Sequence, residues 1–133
     1  MIKLFIGAKG SGKTKTLIEL VNAAANESKG SVVCIEKGGK LRFDITSRAR
    51  LIDTDDYAVN DAEKLYGFIA GILASNSDIT DIFIDSSLKI CGDDVAAFED
   101  LLSKVSKIST DINRVMTASI AVEACPDSIK SYT

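Results

Sequence analysis

The chain contains no histidine and no tryptophan, and its single proline is Pro126. The missing histidine excludes Ser-His-Asp and Cys-His nucleophile systems, imidazole general bases and the usual His-containing zinc and iron sites. Chemistry is left to carboxylates, lysines, hydroxyls, backbone amides and any metal held by oxygen. The three cysteines, Cys34, Cys91 and Cys125, form no C-x-x-C pair and no disulfide framework. They suit a reducing compartment, with Cys34 a small hydrophobe inside an apolar run. Long hydrophobic runs are also missing. The stretch 1–6 is interrupted by Lys3 and ends at Gly7, too short for a membrane span or a signal peptide. By elimination the expected location is cytoplasmic, with no membrane partner.

A length of 133 residues suits one domain, 1–133, with a core of its own. The net charge of −3 is unevenly spread. Residues 1–50 hold ten Lys/Arg against four Asp/Glu, whereas residues 51–100 hold two against twelve. A basic first third suits phosphate, and the acidic middle would repel a nucleic-acid backbone, so no nucleic-acid partner is indicated. Most of these charges read as solvated faces.

Strand-like and helix-like patterns alternate along the chain. Residues 2–6 read as a strand, and Leu17, Ile18, Val21 and Ala24 mark one face of a helix over 13–25. Residues 31–36 are near-continuously apolar, as in a strand buried on both faces. Gly38 and Gly39 make a turn of 37–40, and two short extended segments, 41–43 and 50–52, are expected to pair. A helix over 60–74 follows, with Gly67 and Gly71 read as close helix packing. A strand over 79–85, a helix over 95–108 capped by Asp93, a strand over 114–120 and a helical turn at 127–132 complete the series. This alternation predicts an α/β fold, a three-layer sandwich around a mainly parallel sheet of about five strands.

Between the first strand and the first helix stands Gly7-Ala8-Lys9-Gly10-Ser11-Gly12-Lys13-Thr14, which satisfies G-x-x-x-x-G-K-[ST] in full. Glycines let the backbone adopt positive φ and turn its amides around a phosphate. The helix that follows directs its positive end at the same anion. Lys13 supplies a point charge for the outer phosphates, and the Thr14 hydroxyl is a Mg²⁺ ligand. These eight residues resemble the Walker A motif of P-loop NTPases. Lys9 does not follow the first glycine directly, unlike the signature lysine of the partitioning ATPases, and reads as a loop charge, as does Lys15.

The run Ile79-Thr80-Asp81-Ile82-Phe83-Ile84-Asp85 resembles a Walker B strand, whose terminal carboxylate, here Asp85, holds Mg²⁺ beside the phosphates. Asp81 reads as a solvated residue at the start of that strand. Ser86 and Ser87 follow Asp85, so the glutamate that many hydrolytic relatives place next is missing. RecA-like ATPases are similar in this respect and carry their catalytic glutamate after the strand that succeeds the P-loop helix. That resemblance implies Glu36 as the base that orients water, and Thr117 or Ser119 as a γ-phosphate sensor where the family typically has glutamine. It also implies a site completed by a second copy or a protein partner, with Arg42, Arg48, Arg50 or Arg114 acting across the interface.

Other constellations point elsewhere. Asp53 and Asp55 are candidates for a second metal or a substrate hydroxyl, as in a small-molecule kinase, or else belong to an exposed acidic loop with Asp56. Tyr57 and Tyr132 are candidates for stacking on a base, while Tyr66 belongs to a helix face. The N/T-K-x-D pattern of guanine recognition is absent, which leaves ATP or ADP with Mg²⁺ as the expected ligands. Three functions follow as expectations: a weak or partner-stimulated ATPase, a non-hydrolysing ATP-dependent interaction module, and a small-molecule kinase.

Overall fold

The two most apolar runs become β2 (Ser31–Glu36) and β4 (Ile79–Ile84), paired side by side in the interior of the sheet. A computed structural model describes residues 2–108 and 110–133 and adds β1 (Ile2–Gly7), β3 (Ala49–Asp53) and β5 (Asn113–Ser119). The sheet order is β1-β5-β4-β2-β3, and every neighbouring pair is parallel. The expected α/β architecture with five strands is therefore observed, and the sheet is wholly parallel.

Side chains alternate across the sheet, so each face has its own helices. Val32, Cys34 and Phe83 pack with Leu17 and Val21 of α1 (Lys13–Glu27). Val33, Ile35, Ile82, Ile84 and Met116 face the other way, against Leu65 and Ile69 of α2 (Ala62–Ser75) and Phe98, Leu101 and Leu102 of α4 (Val95–Ser106). Each fully buried Leu, Ile or Phe contributes about 1.5–3 kcal/mol, so the larger second cluster dominates the core. No helix among the described residues is long and apolar enough to cross a membrane.

Several local expectations are corrected. Residues 41–43 do not form a strand. They bend into a turn in which the amides of Asp44 and Ile45 both donate to the Leu41 carbonyl, and the 50–52 segment pairs with β2 instead. Asp94, rather than Asp93, caps α4 by accepting the Ala97 amide at 3.0 Å. A Cβ at Gly67 or Gly71 would meet nothing within 4 Å, so these glycines do not serve close helix packing. Asp81 is buried rather than solvated, holding the Thr80 hydroxyl at 2.6 Å and the Asn113 amide at 2.9 Å. Arg114 is buried as well, and its Nη1 donates to the carbonyls of Val105, in the last turn of α4, and of Ile108 just beyond it. It serves the core and cannot reach across an interface.

Because all strands run the same way, their C-terminal ends meet at one edge of the sheet. Gly7 pairs with Ser119, Glu36 with Asp53, and Asp85 follows the Ile84 that pairs with Ile35 and Met116. In open α/β sheets this is the edge where ligands bind.

Candidate functional site

The loop from Gly7 to Thr14 stands at that edge. Gly12 has φ +92°, a left-handed conformation, at the N-cap of α1. Gly7 is favoured by its backbone, at a φ of +154° that L side chains rarely adopt, and a Cβ there would also displace the Ser11 hydroxyl, 2.6 Å away. Within the loop the Ala8 carbonyl accepts both the Ser11 amide at 3.2 Å and the Lys13 ammonium at 3.0 Å. Lys13 Nζ also reaches Ser11 Oγ at 3.4 Å, so the ammonium is folded back over the loop. Partial burial lowers the Lys13 pKa, opposed by the nearby Asp85 carboxylate.

The start of α1 differs from those of the two other long helices. Asp61 caps α2 through the Lys64 amide at 2.8 Å, and Asp94 caps α4. Gly12 offers α1 no capping side chain, and its first turn carries no acidic residue. The first amides of a helix lack internal partners, so those of α1 remain open to an external acceptor.

A cleft of about 580 Å³ opens in front of this helix end. Of the residues expected in the site, Lys9, Gly10, Gly12, Lys13, Thr14, Glu36 and Asp85 line it. Gly7, Ala8 and Ser11 do not, and instead shape the loop. On the opposite side Asp85 is the hub. Its carboxylate accepts the Thr14 hydroxyl at 3.2 Å on both oxygens, the Thr117 hydroxyl at 2.6 Å, and the Ser86 hydroxyl at 3.4 Å. Thr117 Oγ1 in turn accepts the Ser86 amide at 2.9 Å. Thr117 is thus a buried support for Asp85, and Ser119 is the residue of that pair which faces the cleft.

Glu36, only 2% exposed, ends β2 beside Asp85. Its Oε1 accepts the amides of Lys40 at 2.7 Å and Leu41 at 3.1 Å, whereas Oε2 has only a 3.3 Å share of the Leu41 amide. Burial raises its pKa, against the lowering pull of the Leu41 and Lys40 amides and with smaller raising effects from Asp53 and Asp85. Beneath the site Cys34 is fully buried, and its thiol is pushed up to about 12, first by burial and then by Asp85 and Glu36. It offers no thiolate near neutral pH.

The remaining candidates lie elsewhere. Asp53 Oδ1 accepts the amides of Gly38 and Asp55, both at 2.9 Å, and Asp55 pairs with Lys37 at 2.6 Å. These carboxylates brace loops and do not line the cleft. Tyr57, Tyr66 and Tyr132 are outside its lining too. Sequence reasoning assigned no task to Lys37, Lys40 and Lys89, which do line it. Their signal was topological: turns that follow parallel strands collect at one edge.

The donor set suits a divalent ion of the magnesium type. No group of three or more Cys, Asp or Glu assembles among the described residues. Mg²⁺ sites use one or two protein oxygens completed by water and phosphate, and the facing oxygens of Thr14 and Asp85 provide such a pair. In comparison with known proteins, no family model matches the chain and no curated protein matches it significantly.

Proposed function

We propose that the chain is a Mg²⁺-dependent ATP-binding protein of the P-loop NTPase type, with weak or partner-stimulated ATPase activity of RecA-like character. The observation that carries this reading is the convergence of the uncapped start of α1, the Lys13 ammonium and the Thr14–Asp85 oxygens on one cleft. Loop amides and helix end would hold the phosphates, and Lys13 would swing off Ala8 to neutralise outer charge. Thr14 and Asp85 would hold Mg²⁺, which would supply charge neutralisation for the phosphates. Glu36 Oε2, the less engaged oxygen, would orient water and take its proton. Such catalysis rests on positioning and electrostatics.

Calorimetric titration with Mg-ATP tests the reading, together with phosphate release. Lys13→Ala is expected to weaken binding at least about tenfold, the loss of one charge-assisted contact. Equal binding by the variant and the parent chain would overturn it.

A second reading, a non-hydrolysing interaction module, is favoured by Phe43. This side chain is 87% exposed, two residues beyond the cleft residue Leu41. A bound nucleotide and an apolar contact for a partner would then share one turn. Nucleotide binding without phosphate release, alone or with a partner, would select it.

A further inference from the structure

The positive charge of the cleft comes from more than its phosphate loop. Six lysines line it, Lys9, Lys13, Lys15, Lys37, Lys40 and Lys89, in a chain of net charge −3. Three carboxylates share the lining: Asp85, held by hydroxyls, Glu36, held by amides, and Asp93. Lys9, Lys13 and Lys15 belong to the phosphate loop and the start of α1. The other three come from different elements, Lys37 and Lys40 from the turn after β2 and Lys89 from α3 (Ser87–Ile90).

That turn is braced from below. The Gly38 amide donates to Asp53, and the amides of Lys40 and Leu41 donate to Glu36. Gly38 at φ +97° and Gly39 at φ +64° give the backbone the reversal that aims these amides at the carboxylates. Lys37 is tethered by Asp55, whereas Lys40 and Lys89 are exposed and make no ion pair among the described residues. Two free ammonium groups therefore border a cleft whose other wall already has its own phosphate-binding parts.

We infer that Lys40 and Lys89, with Lys37 adding to the field, form a second anion site in the cleft that takes the phosphate group of a small phosphorylated co-substrate beside the nucleotide. This rests on the nucleotide reading above. The test titrates inorganic phosphate, and separately glycerol phosphate, into protein saturated with Mg²⁺ and a non-hydrolysable ATP analogue, so that the phosphate loop is already filled.

One equivalent is expected to bind, glycerol phosphate at least as tightly as inorganic phosphate. The double variant Lys40→Gln/Lys89→Gln, with an unchanged unfolding transition, is expected to lose at least tenfold more affinity for the phosphate probe than for the analogue. No phosphate binding to the saturated protein overturns the inference, as does equal loss for both ligands, which would make these lysines part of the nucleotide site. Tighter binding of a short oligonucleotide on the same lysines overturns it in favour of a polynucleotide. If the analogue itself does not bind, the nucleotide reading has failed instead.

Discussion

Thr14 and Asp85, 71 positions apart in sequence, meet where the first turn of α1 faces the end of β4, the hydroxyl 3.2 Å from each carboxylate oxygen. These facing oxygens are the ones that would hold a divalent ion. Asp85→Asn and Thr14→Ala are each expected to abolish the Mg²⁺-dependent increment in ATP affinity, by about tenfold or more. Thr14→Ser should keep it. Titrations with Mg²⁺ and with a chelator measure this increment, and an undiminished Mg²⁺ effect in both altered chains would remove the pair from the metal site.

Glu36 predicts a pH signature. Its raised pKa means that the folded chain keeps a proton at pH values where the unfolded chain has lost it. The group therefore adds stability at acid pH, and that contribution disappears as pH rises from the ordinary glutamate range through the folded value. Glu36→Gln removes this dependence while keeping an oxygen for the Lys40 and Leu41 amides. Urea unfolding across a pH series should show the variant gaining on the parent chain as pH rises. A constant difference would contradict the burial argument. Separately, phosphate release should be lost while analogue binding persists.

Two glycines predict opposite outcomes for the same substitution. Gly12→Ala forces a Cβ into a left-handed conformation at φ +92° and should destabilise the fold by about 1–2 kcal/mol. Gly67 lies on an exposed part of α2 where a Cβ meets nothing, so Gly67→Ala should stabilise by about 0.5–1 kcal/mol. Denaturation midpoints compare the two, and shifts of the same sign would refute the assignment. Gly12→Ala should also weaken ATP binding, and Gly67→Ala should not.

Arg114 predicts a purely structural effect. Arg114→Met removes the donor that serves the Val105 and Ile108 carbonyls, at 2.7 and 3.0 Å; Val105 keeps the Ile108 amide at 3.2 Å, and the Ile108 carbonyl loses its charged partner. A loss of about 1–3 kcal/mol in unfolding free energy is expected. ATP affinity measured below the transition should be unchanged. A specific loss of turnover with full stability would restore a role for this arginine in the site.

Legibility in the sequence followed the range of the interaction. The place of the loop 7–14 at the start of α1 is readable because eight consecutive residues carry its whole glycine pattern, and that of Asp85 because an apolar strand that ends in a carboxylate is a local pattern. Thr117 and Lys40 depend on which strands become neighbours, and nothing local encodes that β5 lies against β4 or that the turn after β2 borders the loop after β1. Leu41 and Phe43 show the opposite error. Their alternation imitates a strand, but Glu36 captures the Lys40 and Leu41 amides and bends the chain, burying Leu41 and leaving Phe43 outside.

The place of β1 at the sheet edge has a consequence for synthesis. Among the described residues its one strand partner is β5, and Ile2 pairs with Arg114 more than a hundred residues later. The Leu4 amide also waits for the carbonyl of Tyr132. A ribosome-bound chain can assemble β2, β3 and β4 while β1 is still unpaired, since contacts of such long range form last. The loop 7–14 that β1 carries is then held in place only after β5 has been made, so nascent chains that stop short of it should present the eight-residue signature without its folded setting.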